Sequence, residues 1–348
     1  MEKEVYKALT YFDTARPVAL CSVVQWKGSV PRKDYPLMLV PKHGRIIGTV
    51  GGGRMEYDVI EKAKEVLSNQ IAVLESFDLT NDDAEAEGGI CGGTTMILIE
   101  PFTEYVQKFW RSIDYLNGTS GLLITTVDKT GEITPSRSWV ESDNLPSFYP
   151  PKFAEKVKKV VQTTKPETYE DYSSFRLIQK ILPPPILHIF GAGHVGKAVA
   201  DIAHFIDLNA HVYDDRTEFL TIERFPNAKT TELNFSTDLN SQVSLSSHDF
   251  VLVATRGHHH DLDIMRWLLK QNVHYLSLIS SQRKWDILST ALRKEGFSDT
   301  ILQSVHSPVG LDIEAETVPE IAVSIISEII HHYRKGYRTS LSLSGEKT

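Results

Sequence analysis

Three glycine-rich segments and one histidine run carry the residue types best able to do chemistry in this chain. The first segment, Gly191-Ala192-Gly193-His194-Val195-Gly196, has the spacing G-x-G-x-x-G. That spacing suits a pyrophosphate. The first glycine permits a tight turn, the second lets backbone approach the anion, and the third lets the following helix pack close to its strand. An apolar run precedes the triplet at Ile186–Phe190 and a helical pattern follows it, which is the context such a triplet needs. Asp214 and Asp215 end the next apolar run, Asp214 lying 23 residues after Gly191. A carboxylate there would bond ribose hydroxyls and repel a 2′-phosphate, favouring NAD or another adenine nucleotide over NADP. The alternative is a loop that only closes a doubly wound sheet, since fold alone does not establish a ligand.

Gly51, Gly52 and Gly53, followed by Arg54, run from a strand into a helix, and Arg32, Lys33 and Arg45 could add positive charge. This is either an anion-binding helix terminus or a tight turn with solvated cations. In Gly88-Gly89-Ile90-Cys91-Gly92-Gly93 the thiol is sterically open, so Cys91 could reach a metal or a cofactor sulfur. Asp82, Asp83, Glu85 and Glu87 just before it would raise the thiol pKa, so a small turn residue is the competing reading. Arg256 and His258 lie on the ligand side of a parallel sheet, in Thr255-Arg256-Gly257-His258-His259-His260-Asp261. Consecutive histidines do not all face one ion, so contact with nucleotide or substrate competes here with helix capping rather than with zinc. Asp312, Glu314 and Glu316 read as capping or solvated acids. No GxSxG, HExxH or Walker lysine pattern supports a hydrolase or phosphoryl-transfer enzyme.

The positioning elements follow from periodicity. Val5, Leu9 and Phe12 predict an opening helix, and Pro17–Trp26 a buried strand. Leu37–Val40 and Arg45–Val50 predict a hairpin, and Met55, Val59, Ala63 and Val66 one face of a helix. Strands are expected at 71–77, 94–100, 122–127 and 175–182, and helices at 104–116 and around 153–161. Residues 142–151 and 162–174 read as irregular. Pro183-Pro184-Pro185 marks a boundary, because a proline run continues neither helix nor strand. Beyond it, strands at 186–190, 211–213, 250–254 and 275–279 alternate with helices at 195–206, 262–271, 283–294 and 319–333. The expected fold is α/β: a C-terminal Rossmann-type doubly wound parallel sheet (183–338) preceded by a mixed α+β N-terminal domain (1–182), with a disordered tail at 339–348.

Net charge −8 argues against broad nucleic-acid or anionic-membrane binding. Two cysteines, an acid-bearing N-terminus and no apolar run near ~18 residues predict a cytoplasmic protein without a membrane span. A homodimer is the expected assembly.

Taken together, the motifs resemble the XdhC/CoxI family of xanthine dehydrogenase accessory proteins. The pieces are Lys27-Gly28-Ser29-Val30-Pro31-Arg32, Gly48–Glu56, Cys91-Gly92-Gly93, Phe190–Gly196 with Asp214-Asp215-Arg216, Thr255–His258 and Pro308–Thr317, in family order across both halves. Two positions depart from the family pattern: Arg54, where many relatives have Cys, and Ser280–Lys284, where many have Gly-Ser-Arg/Arg-Lys. The resemblance implies an accessory protein that binds molybdenum cofactor (molybdopterin) and assists its maturation and insertion into a xanthine dehydrogenase-type molybdenum hydroxylase. A cysteine desulfurase is a further implied partner. The cofactor's phosphate and dithiolate suit backbone N–H groups, Arg or Lys, and a thiol. The competing function is an NAD-dependent oxidoreductase using the same glycine loop. A complete xanthine dehydrogenase is excluded, because one [2Fe–2S] cluster needs about four ligating side chains, usually cysteines.

Overall fold

A computed structural model describes residues 3–79, 92–113, 120–141, 149–163 and 165–335. Cys91, residues 142–148, the helix end expected at 114–116 and the tail from Thr339 lie outside the described residues. The chain divides into two compact units, Met1–Leu182 and Pro183–Thr348.

In the first unit, helix α1 (Lys3–Tyr11) leads into strand β1 (Val18–Gly28), the centre of a five-stranded sheet. Its order is β3 (Ile47–Gly48), β2 (Leu37–Pro41), β1, β5 (Gly93–Pro101), β4 (Val73–Asp78), and the pairs are antiparallel. Strand alternation gives β1 two apolar faces. Ala19, Cys21 and Val23 pack with Met55, Val59, Ala63 and Val66 of helix α2 (Gly53–Asn69). Val18 and Leu20 pack with Val5 and Leu9 of α1 and Trp110 of helix α3 (Glu104–Ser112). Each buried Val, Leu or Met among them contributes about 1.5–3 kcal/mol by leaving water.

A second antiparallel sheet runs β7 (Thr134–Glu141), β6 (Gly121–Asp128), β9 (Ser174–Ile181), β8 (Glu167–Glu170). Helix α4 (Pro151–Thr163) covers it through Phe153, Val157 and Val160. The expected irregular stretch 162–174 therefore contains β8, and β7 was not expected at all. Both are edge strands, so neighbours supply the pairing that their polar sequences do not announce.

The second unit is a six-stranded parallel sheet in the order β12 (Lys229–Glu232), β11 (Asn209–Asp214), β10 (Ile186–Phe190), β13 (Phe250–Val253), β14 (Tyr275–Leu278), β15 (Val305–His306). Helices α5 (His194–Phe205) and α10 (Val318–Lys335) are buried with one apolar cluster. Helices α7 (His258–Leu268) and α8 (Gln282–Lys294) are buried with the other. The minor helices are α6 (Leu239–Gln242) and α9 (Asp299–Gln303). Helix α7 begins at His258, four residues before the expected Leu262, because Gly257 is its N-cap. This is the doubly wound order with helices on both faces, a Rossmann-type fold. Among the described residues no helix is long and apolar enough to cross a membrane.

Candidate functional site

In such a sheet the crevice opens where the winding reverses, outside the carboxyl ends of the strands. Here that point lies between β10 and β13, so the loops after β10, β11 and β13 border it. The Gly191–Gly196 loop follows β10. Gly191 has φ +124°, and a Cβ there would lie 2.3 Å from the Ala254 carbonyl oxygen. A Cβ on Gly196 would lie 2.0 Å from the Gly191 oxygen. Both glycines are therefore demanded by the fold. Gly193 is different: a Cβ would meet nothing within 4 Å, and its φ of −67° suits any residue. Gly193 is the N-cap of α5 with no side-chain cap, and His194 beside it is exposed. The Gly191 and Ala192 amides are taken by the Tyr213 oxygen and Asp214, which leaves the uncapped first turn of α5 beside the open space at Gly193, the arrangement that favours an anion.

Asp214 does not point outward to a ribose. It is 2% exposed and accepts from the Ala192 N–H at 2.7 Å, and from Arg216 N, Nε and Nη2 at 3.1, 2.8 and 3.0 Å. Those four bonds fill a carboxylate's acceptor sites. Burial opposes its charge, yet Arg216 and the Ala192 amide hold the carboxyl below the usual range. Asp214 is thus a brace for the glycine loop, which corrects its expected ribose contact. Arg224 adds a second brace, donating to the Ala192 oxygen at 2.9 Å. Of the two expected acids, Asp215 is the one left partly open, 3.6 Å from His260 Nε2.

The loop after β13 carries Thr255 and Arg256, the latter exposed, and Gly257. Beneath it Asp261 is fully buried, accepts from Thr255 Oγ1 at 2.5 Å and pairs with Lys284 of α8. This Thr255–Asp261–Lys284 group was missed from sequence. The signal was Asp261, an acid in the first turn of a helix.

Of the N-terminal glycine clusters, the described Gly51–Gly53 and Gly93 have structural explanations. At Gly51–Gly53 the anion position is taken from within the chain. Glu56 Oε2 accepts from Val50 and Gly52 N–H at 3.0 Å each and from the Thr49 hydroxyl. Burial opposes the charge, but these bonds and one from Gly51 hold Glu56 below the usual carboxylate range. The expected external anion therefore meets a filled nest. The cations do not converge on it either: Arg32 pairs with Asp34, Arg45 with Glu4 and Arg54 with Asp58. Gly93 opposes Gly28 in the sheet, bringing two of the motif pieces together. A Cβ on Gly93 would strike the Ser29 and Lys27 oxygens at 2.4 and 2.5 Å. Gly92 is exposed beside it. The other thiol, Cys21, is buried in the core, where burial followed by Glu100 and Glu56 pushes its pKa up. Asp312, Glu314 and Glu316 are exposed, and the acid that caps α10 is Glu320, accepting from Glu316 and Thr317 N–H.

Fold and site together define a protein whose C-terminal unit is a Rossmann-type domain with an open glycine loop at its switch point. The "XdhC Rossmann domain" model matches residues 187–329, and the "XdhC and CoxI family" model matches residues 12–78. A Bacillus subtilis protein, named as a probable subunit of xanthine dehydrogenase, is 30% identical over 315 residues, covering 89% of this chain and 92% of that protein. The chain belongs to the XdhC and CoxI family. An Escherichia coli protein, "Uncharacterized protein YqeB", is 26% identical over 317 residues, 90% of this chain but 43% of that longer protein. A Bacillus halodurans crystal structure, described as that of a xanthine dehydrogenase, superposes with TM-score 0.78 at 25% identity, covering 97% of each chain.

Proposed function

We propose that this chain is an accessory protein for a xanthine dehydrogenase-type molybdenum hydroxylase, binding molybdenum cofactor and assisting its maturation and insertion. The observation that carries the proposal is the open turn at Gly193, where the fold leaves room that it does not itself need. The family and the name of the Bacillus subtilis relative supply the context. The donor set fits a phosphorylated pterin: uncapped amides at the start of α5 for the phosphate, and the exposed Arg256 for further negative charge. When bound, the cofactor supplies the molybdenum centre that the hydroxylase uses. The chain's own contribution is to hold the anion. Gly191 and Gly196 shape the loop, while Asp214 and Arg224 fix the Ala192 peptide within it. Cys91 is the proposed soft ligand, a cysteine desulfurase the proposed sulfur donor, and a homodimer the proposed assembly.

The test is reconstitution. Purified chain loaded with molybdenum cofactor should activate an apo-hydroxylase, and Gly193→Val, which places a branched side chain in the phosphate position, should not. Equal activation by both proteins would overturn the proposal. One observation favours a second reading, an NAD-dependent oxidoreductase: His260 and Asp215 form a His–acid pair at 3.6 Å beside the crevice, which a proton-transfer step would need. Calorimetry separates the two. An oxidoreductase binds NAD without the pterin and loses that binding in Gly193→Val.

A further inference from the structure

Away from the crevice, β15 and α10 bring three ligand-type side chains together. His306 ends the edge strand β15, and Glu328 and His332 sit one turn apart on α10. One ligand atom from each lies within 4.8 Å of the others. His306 Nδ1 is 2.8 Å from Glu328 Oε1, and His332 Nε2 is 3.9 Å from the same oxygen.

The surroundings fix this group in place. Ile325, Ile326 and Ile329 bury α10 in the core, and Glu328 and His332 follow on that stripe. The Gly310 N–H donates to the other Glu328 oxygen at 2.5 Å, which orients the carboxylate. The Tyr275 ring stacks on His306 at 4.4 Å between centroids and lies 5.1 Å from His332. Side-chain exposures of 30%, 12% and 28% for His306, Glu328 and His332 leave the group open to water on one side.

We propose that His306, Glu328 and His332 form a site for a divalent transition-metal cation, with Zn2+ the expected occupant and water completing the shell. Two imidazoles and one carboxylate form a donor set of the kind that Zn2+ takes with three protein ligands and an open position. Ligand bonds of ~2.0–2.2 Å in a tetrahedron place donors roughly 3.4 Å apart. The 2.8 Å pair must therefore open and the 3.9 Å pair close, each by about 0.5 Å, within the reach of side-chain rotation. The already oriented Glu328 carboxylate supplies the outer-shell support that metal sites use. An ion there would tie the edge strand and the loop holding Gly310 to α10, a clamp on the sheet margin farthest from β12.

The full-length chain, stripped with chelator, is titrated with Zn2+ against a chromophoric competitor and, separately, with Co2+ by visible absorption. One Zn2+ per chain is expected, with the absorption of a low-coordinate Co2+ centre and a rise in Tm on adding Zn2+. His306→Ala and His332→Ala should each weaken binding more than ~100-fold, since loss of an outer-shell partner alone costs 10–100-fold. His331→Ala, an exposed neighbour on the same helix, should change nothing. Glu328→Gln keeps the side-chain volume and should abolish the Zn2+-dependent rise in Tm. Absence of stoichiometric Zn2+ binding by the unaltered chain would overturn the proposal without recourse to any variant. So would unchanged affinity in His306→Ala and His332→Ala.

Discussion

Asp214 and Asp215 are neighbours of the same type, and the structure gives them opposite consequences. Asp214→Ala removes the acceptor for the buried Ala192 amide and for three donors of Arg216. An orphaned buried amide costs about 1–3 kcal/mol, and breaking a largely buried ion pair about 3–5 kcal/mol. These overlap at one side chain, and Arg216 has Asp215 as a second partner at 3.8 Å. The net loss should be about 3–4 kcal/mol. For a unit of this size that lowers Tm by roughly 6–16 °C. Asp215→Asn touches only long, partly open contacts, His260 at 3.6 Å and Arg216 at 3.8 Å, and should cost no more than about 1 kcal/mol. The pH dependence has a definite sign. The Asp214 carboxyl is held below its unfolded value, so its stabilisation is present above the unfolded pKa of about 3.9 and is lost as pH falls through the lower, folded value. The unaltered chain should therefore lose more stability than Asp214→Ala on acidification below pH ~4. The assay is thermal melting of both variants and the parent from pH 3 to pH 7. If Asp214→Ala melted like Asp215→Asn at pH 7, Asp214 would not brace the loop.

Gly196→Ala should lower Tm by several degrees because its Cβ falls 2.0 Å from a backbone oxygen, while Gly193→Ala should melt within about 2 °C of the parent; similar losses at both positions would mean that the space at Gly193 is not open. Glu56→Ala should cost about 1–3 kcal/mol by uncapping the turn before α2, and Glu56's stabilisation should fade as pH drops below about 4.3; a chemical-denaturation series that shows no loss at pH 7 counts against the internal-anion reading. The Arg137–Glu100 pair is almost wholly buried, so Glu100→Ala should cost about 3–5 kcal/mol, and a double change of both residues to apolar ones should recover part of it; a single-variant loss under about 1 kcal/mol would show that water reaches the pair.

The legible parts of the molecule are those where one residue pattern decides the outcome. The stripe Met55, Val59, Ala63 and Val66 has helical period and is buried as a face of α2. The central C-terminal strands Phe250–Val253, apolar throughout, and Ile186–Phe190, apolar but for His188, read so because both sides of a parallel sheet are covered. Three edge strands were not legible, whereas the edge strand Val73–Asp78 was expected at 71–77. Thr134–Glu141, Glu167–Glu170 and Lys229–Glu232 are polar, and their strand state comes from partners distant in sequence. In the site, glycine spacing located the loop, but spacing alone does not say where a carboxylate points. Asp214 turns inward because the Ala192 amide and Arg216 lie within reach of it. Gly51–Gly53 looks like an anion nest and is one, with Glu56 as the anion. His306, Glu328 and His332 span 27 positions on two elements, so only the fold brings them together.

The central claim is that the C-terminal crevice holds a phosphorylated pterin. Its most direct test is mass spectrometry of small molecules released from the parent chain and from Gly193→Val, both purified from a molybdenum-replete host. The parent should release molybdopterin, and the variant, folded to the same melting temperature within a few degrees, at least ~10-fold less. That factor is about 1.4 kcal/mol, the scale of one charge-assisted hydrogen bond. A parent that releases no pterin, or a variant that releases as much, would contradict the claim.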